Sequence, residues 1–221
     1  MKVSLWLIPE PIIFKEFQKQ ISSLAKQYYD HHLPTFIPHV TLVGGHEIAS
    51  YEDSLTLLKT LQDAFTDFGP VSCQFQTSKD PDDDNNNEIL TMYYQKGKTN
   101  NNNNYNNNNY NNDDDNDTIV QWNQSCIQIL DRTESFIRAV KLANQVMKPT
   151  SNNSHSSWFK PVSCEPHFSW AYTDQKIDTS PFIKPYSGNF LCDSIVLMKT
   201  SPSSLHGMSQ WKPIGSPISL I

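Results

Sequence analysis

Two short segments of the chain are near copies of each other. The frame IPHVTL at residues 37–42 returns as EPHFSW at residues 165–170, and in both a histidine follows a proline and precedes a hydroxyl residue by two positions. Successive side chains of an extended strand point to opposite faces, so each copy predicts an imidazole and a hydroxyl on one face and two apolar side chains on the other. Together the two copies predict one bipartite site built from His39, Thr41, His167 and Ser169.

This combination of side chains suits the hydrolysis of a phosphodiester. The attacking water must lose a proton and the leaving alkoxide must gain one, and imidazole does either near neutral pH because its pKa is about 6.5. The hydroxyls of Thr41 and Ser169 can donate hydrogen bonds to the phosphate oxygens as negative charge builds in the transition state. The scheme requires no metal ion and no cofactor, and we predict neither.

The two frames resemble the signature of the 2H phosphoesterases, which carry two His-x-Thr/Ser motifs, and within them the fungal and plant cyclic phosphodiesterases. The resemblance covers residues 3 to about 198. It implies an α+β, two-lobed fold in which two antiparallel sheets face a central cleft, with helices outside and one motif strand from each sheet on the cleft.

The resemblance also adds Tyr172, five positions after the second histidine, as a substrate-binding residue. Strict strand alternation would turn Tyr172 away from His167, so a bulge or a strand end must intervene if it reaches the substrate. Analogy with the family favours His167 as the base and His39 as the acid, although the sequence itself leaves that assignment open.

The function implied by the resemblance is that of a 2',3'-cyclic-nucleotide 3'-phosphodiesterase. Its substrates would be ADP-ribose 1'',2''-cyclic phosphate, a by-product of tRNA splicing that yields ADP-ribose 1''-phosphate, and nucleoside 2',3'-cyclic phosphates, which yield nucleoside 2'-phosphates. Two alternatives stay open. One is an esterase or exonuclease of RNA ends from another 2H branch, and the other is a non-catalytic nucleotide-binding module.

The charge of the chain is concentrated in one segment. Of the formal net charge of -6, residues 80–117 contribute -7, from nine acidic residues and two lysines, which leaves +1 for the remainder. Proteins that bind long nucleic acids usually present a basic face. We therefore expect no long nucleic acid as a partner, and a small nucleotide with a cyclic phosphate stays the partner that the resemblance implies. We also expect a monomer.

Composition also bears on the cellular compartment. The sequence has no apolar run of the length that crosses a bilayer, and its amino terminus lacks the layout of a signal peptide. Its four cysteines are widely scattered, which fits neither a close-spaced zinc motif nor a disulfide-rich scaffold. We expect a soluble intracellular protein of the cytoplasm, with peripheral association with the Golgi as the alternative.

The 221 residues are expected to form a single bilobal catalytic domain. Two low-complexity segments, residues 81–87 and 100–117, are almost devoid of apolar side chains and predict disordered surface insertions. Periodicity predicts helices at residues 14–28, 51–68 and 133–147, and strands at residues 3–9, 39–43, 71–77, 88–94, 125–130, at the second motif and at residues 190–198. Apolar spacing predicts a buried side in the first helix from Phe17, Ile21 and Leu24, and in the second from Leu55, Leu58, Leu61 and Phe65.

The remaining histidines and aromatic residues are weaker candidates. His31 and His32 close the first predicted helix, where a histidine commonly interacts with the helix dipole. His46 follows the first motif in a glycine-rich turn and could line the mouth of the cleft. Trp6 could stack on a base, as Tyr172 could, and loop histidines 155 and 206 receive no role.

Overall fold

The structure, a computed structural model, describes most of the chain outside the low-complexity segments. Described are residues 1–31, 33–75, 90–94, 122–128, 133–147, 166–173, 177, 188–202 and 205–220. The helices are α1 (Pro11–Gln27), α2 (Tyr51–Ala64) and α3 (Glu134–Val146), with 3-10 turns at Tyr29–His31 and His206–Gln210. The strands are β1 (Lys2–Pro9), β2 (Val40–Glu47), β3 (Val71–Gln74), β4 (Leu90–Tyr94), β5 (Trp122–Gln128), β6 (His167–Thr173), β7 (Asn189–Lys199), β8 (Lys212–Pro213) and β9 (Ile218–Ser219).

All nine strands of the described residues belong to one antiparallel sheet. Its order is β3-β7-β1-β2-β6-β5-β4, and β8 and β9 also pair with β7. The predicted α+β class with antiparallel strands is confirmed. Two facing sheets were expected, but the strands form a single continuous sheet. The reason is that the motif strands β2 and β6 hydrogen-bond to each other directly. That junction is short, with only two residue pairs in register.

One face of this sheet carries the main core. Along β1, Val3, Leu5 and Leu7 are buried in the main core, whereas Trp6 belongs to a small separate cluster. All three helices add buried side chains to the main core, among them Phe17, Ile21 and Leu24 of α1, Leu58 and Leu61 of α2, and Phe136, Ala139 and Ala143 of α3. Burial of a large apolar side chain stabilises a fold by about 1.5–3 kcal/mol. The helical face therefore supplies most of the packing energy, and smaller apolar clusters lie apart from it beside the polar motif residues.

Helix α2 shows where periodicity misled the sequence prediction. It begins with a capping box between Ser50 and Asp53, as its sequence favours, but it ends at Ala64 rather than at residue 68. Leu55, assigned to the buried stripe, is 43% exposed, and Ser54 is fully buried in its place. Ser54 stands four and seven residues before the buried leucines of this helix, so it completes the inward stripe and Leu55 falls on its edge.

Strand β2 runs further than predicted. It was expected to begin at His39 and end at the glycine pair, but it begins one residue later and continues to Glu47. Two register shifts against β1 absorb the extra residues. Gly45 adopts a φ of 65° and donates its backbone N–H to Ser4 Oγ at 3.1 Å, so a left-handed residue keeps the strand bonded where a turn was expected.

The predicted low-complexity insertions, residues 81–87 and 100–117, lie outside the described residues, and their disorder stays a prediction. None of the described helices is long and apolar enough to cross a membrane. Cys73 and Cys192 are buried free thiols whose sulfur atoms lie 3.9 Å apart.

We predict that Gly45→Ala costs about 1–2 kcal/mol of the free energy of unfolding, because a side chain disfavours the left-handed backbone at this position. Gly44→Ala is the matched control. Its Cβ would lie 3.6 Å from Thr41 Cγ2, an ordinary contact, and no positive φ is involved, so we expect no loss. Urea unfolding of both variants measures the difference, and equal losses would contradict this account of the strand.

Candidate active site

The two motif strands lie side by side with their polar residues in register. Val40 pairs with Phe168 and Thr41 pairs with His167. Directly opposed side chains share a face of the sheet, so Thr41 and His167 lie on one face, while Val40 and Phe168 are fully buried in the main core on the other. The alternation predicted for both motifs is therefore observed.

The site face continues across the sheet as a row of opposed residues. Thr41 of β2 is opposite Trp6 of β1 on its other side, and Trp6 is in turn opposite Val196 of β7. Extending the β2–β6 register by one position would bring His39 opposite Ser169. The observed register therefore brings together Thr41 and His167, and its extension would add His39 and Ser169 to the same face.

His39 occupies a closed environment immediately before β2. Its side chain is fully buried, and its Nδ1 lies 2.7 Å from the backbone oxygen of Ile37. Because a carbonyl only accepts, Nδ1 carries the proton of the neutral ring and Nε2 carries the lone pair. Within the described residues Nε2 has no hydrogen-bond partner. The imidazole therefore presents a proton acceptor to the site face.

Burial also sets the charge of His39. Desolvation lowers the pKa of His39 from its ordinary 6.5 to about 3, the hydrogen bond to Ile37 opposes this shift, and a positive charge on His167 adds to it. His39 is consequently neutral at neutral pH. The dependence of its pKa on His167 also shows that the two imidazoles are electrostatic neighbours.

Tyr172 reaches the site through a bulge in β6. Ser125 of β5 pairs with Ala171, but the next residue of β5 pairs with Ser169, so β6 carries Trp170 as an extra residue. The bulge reverses the alternation, and the Tyr172 hydroxyl donates a 3.0 Å hydrogen bond to Ser169 Oγ. The bulge that the sequence analysis required is present, and Trp170 itself lies in the main core as expected.

Aromatic rings form a closed circuit with His39. Trp6 stacks on His39 at a centroid distance of 3.6 Å, and Trp211 lies 6.0 Å from both Trp6 and Tyr172. Phe36 completes the circuit at 4.8 Å from Tyr172 and 5.9 Å from His39. Sequence reasoning missed Phe36 and Trp211, since neither belongs to a motif. The only available signal for Phe36 was its position three residues before the motif histidine.

Of the other histidines, the structure describes the side chains of His46 and His206, and both lie outside the two motifs. His46 lies in β2 rather than in a turn, and partial burial lowers its pKa. His206 is exposed in a 3-10 turn, while residues 32 and 155 lie outside the described part. Over the described ranges no three ligating side chains gather into a metal site. Freedom from metals and cofactors stays a prediction.

We predict a pH-dependent loss of stability that is specific to His39. His39 becomes protonated below about pH 6.5 in the unfolded chain, but only near pH 3 in the folded chain. The free energy of unfolding is therefore not reduced by this residue above pH 6.5, and between the two pKa values it falls by about 1.4 kcal/mol for each unit by which the pH is lowered. Between pH 7 and pH 5 the wild type should lose about 2 kcal/mol more than His39→Gln, which cannot titrate. Urea unfolding at both pH values measures this, with His206→Gln as an exposed control. Parallel losses in all three proteins would contradict it.

Comparison with known proteins gives one family match, over the first part of the chain. Residues 1–80, which include the first motif, match the family described as "Cyclic phosphodiesterase-like protein". The resemblance inferred from the two motifs is confirmed by this match. No curated protein matches the sequence of the chain.

Three solved structures resemble the chain at low sequence identity. The TT0787 protein of Thermus thermophilus superposes with a TM-score of 0.52 and 11% identity, covering 100% of this chain and 98% of that protein. Two structures of Kluyveromyces marxianus Usb1, one of them with uridine monophosphate, give a TM-score of 0.46 and 11% identity, covering 99% of this chain and 97% of theirs. The first of these likenesses supports the overall fold and nothing finer.

Proposed function

We propose that the chain hydrolyses the cyclic phosphate of a small nucleotide at the site formed by its two motifs, in keeping with the match of residues 1–80 to cyclic phosphodiesterase-like proteins. The observation that carries the proposal is the register between β2 and β6. It sets Thr41 beside His167 on one face, and the same register extended by one position would set His39 beside Ser169. A phosphodiester needs these groups for two proton transfers and for support of its oxygens.

The geometry of His39 supports the role of general base for this residue. Its Nδ1 proton is committed to Ile37, so Nε2 is the unprotonated nitrogen that would take a proton from the attacking water. His167, in its protonated form, would then give a proton to the leaving oxygen. This assignment is the reverse of the one favoured by analogy, and it rests on the tautomer that Ile37 imposes.

The reaction then balances without a further reactant. The water oxygen attacks phosphorus, its proton passes to His39, and the bond from phosphorus to the 3'-oxygen of the ring breaks as His167 protonates that oxygen. A nucleoside 2'-phosphate results, and both histidines regain their starting states by exchange with solvent. Thr41 and Ser169 donate to the non-bridging oxygens, and Tyr172 orients Ser169 through its own hydrogen bond.

The aromatic circuit supports a nucleotide as the substrate class, since rings beside a phosphate site can contact a base or shield it from water. Within that class we propose ADP-ribose 1'',2''-cyclic phosphate, giving ADP-ribose 1''-phosphate, and nucleoside 2',3'-cyclic phosphates. A by-product of tRNA splicing is the proposed source of the first substrate. The proposed chemistry needs no metal ion.

We predict that the chain hydrolyses both cyclic substrates in the presence of EDTA, and that His39→Ala and His167→Ala each lower kcat by about 10²- to 10⁴-fold. His46→Ala, a half-buried histidine of the same strand β2, is the control and should retain full turnover. Phosphorus NMR identifies the product. Full activity in either motif variant would overturn the mechanism, and nucleotide binding without any turnover would favour a binding module.

The direction of proton transfer has its own test. On an acyclic diester with a p-nitrophenolate leaving group, which departs without a proton, we predict that the loss in His167→Ala shrinks to less than about tenfold. The loss in His39→Ala should persist, because water must still be activated. Steady-state kinetics on both substrates measure the two losses. The opposite pattern would make His167 the base.

We predict that Thr41→Ala and Ser169→Ala each lower kcat by about 10²- to 10³-fold, as expected for the loss of one donor to a developing oxyanion. Thr41→Ser keeps the hydroxyl and should cost little. Tyr172→Phe removes only the donor to Ser169, and we expect a loss of about fivefold. Ser54→Ala, which removes a buried hydroxyl from α2, serves as the control for stability. Unchanged kinetics in both motif variants would exclude the hydroxyls from the reaction.

A further inference from the structure

Trp6 stacks directly on the imidazole of His39. Its indole lies nearly parallel to the imidazole of His39, with 12° between the planes and 3.6 Å between the centroids. The other ring pairs of the circuit meet at 58° or more. One face of Trp6 is therefore occupied by the histidine.

Trp6 itself is held firmly in the sheet. It lies in β1 between two paired strands, opposite Thr41 on one side and Val196 on the other. Its side chain is 3% exposed and packs with Val196 and Met198 in a small apolar cluster. A tryptophan in these surroundings has little room to turn and offers almost no surface to a ligand.

The hydrogen bond from His39 to Ile37 leaves one rotation of the imidazole ring unrestrained. A single bond at Nδ1 fixes where that atom lies, but the ring can still tilt about the bond, which would move Nε2. Flat contact with an indole fixes the plane of the ring. The two contacts together determine the position of Nε2.

We propose that Trp6 is a positioning residue for His39, holding the imidazole plane so that Nδ1 stays on the Ile37 carbonyl and Nε2 stays aimed at the site face. The expected effect on kcat rests on the proposed function, whereas the orientation of the His39 ring by Trp6 does not. This positioning role differs from a role in stacking on the base of the substrate, because one face of Trp6 is taken by His39 and its side chain is almost fully buried.

The kinetic test uses a substrate without a base. On glycerol 1,2-cyclic phosphate, Trp6→Leu should lower kcat by about 10- to 100-fold, as expected for a misplaced catalytic group, while KM changes by less than about twofold. Trp6→Phe keeps a flat ring and should recover most of the loss. Met198→Ala removes apolar packing from the same cluster without touching His39, so it controls for lost stability. An unchanged kcat in Trp6→Leu, or a loss confined to the KM of a nucleotide substrate, would overturn the proposal.

Nitrogen-15 NMR of the histidine rings provides a readout that does not depend on turnover. In the wild type, His39 should show a protonated Nδ1 and a bare Nε2, with its carbon-bound protons shifted upfield by the indole. Trp6→Leu should average the two nitrogens, and Trp6→Phe should keep them distinct. If the wild-type protein hydrolyses no cyclic phosphate, the proposed function fails while these spectra still decide the role of Trp6. If Trp6→Leu does not fold, averaged His39 nitrogens in the wild type or in Trp6→Phe would overturn the proposal.

Discussion

The pairing of β2 with β6 determines whether the site exists at all. Only two pairs of residues define it, and a slip by one position would turn every side chain of one motif to the other face of the sheet. Val40 and Phe168 prevent that slip, because both are fully buried in the main core and neither can be exposed without a large loss of packing. The apolar residue of each motif therefore fixes the position of the polar residues beside it. Chemistry on one face of the sheet depends on packing against the other.

The burial of His39 is a second constraint, because it lowers the stability of the fold at an atom that the proposed reaction uses. A buried acceptor without a partner costs about 1–3 kcal/mol, and Nε2 is such an atom among the described residues. The same burial keeps the imidazole neutral, so Nε2 retains its lone pair. A water or a substrate hydroxyl that donates to Nε2 would relieve the cost. A molecule that donates a hydrogen bond to Nε2 would therefore be held at the atom that takes the proton in the proposed reaction.

Local patterns in the sequence were sufficient for most elements and for the polar half of the site. Alternation in the two motifs predicted the faces of Thr41 and His167, and the spacing of Phe17, Ile21 and Leu24 predicted the buried side of α1. Long-range geometry was not accessible in this way. The join between the two halves of the sheet, the continuation of β2 through Gly45 and the approach of Trp211 all depend on residues far apart in the chain. The bulge at Trp170 is intermediate, since Tyr172 required it but no local signal located it.

The position of β7 has a consequence for how the protein is made. Strands β1 and β3 are not neighbours in the sheet, because β7, at Asn189–Lys199, lies between them. At the usual 5 to 20 residues per second, a ribosome needs on the order of ten seconds to pass from β3 to the end of β7. Throughout that interval β3 and one edge of β1 lack β7, the strand with which both pair in the described sheet. This part of the sheet can therefore be completed only after the eleven residues of β7 have been made.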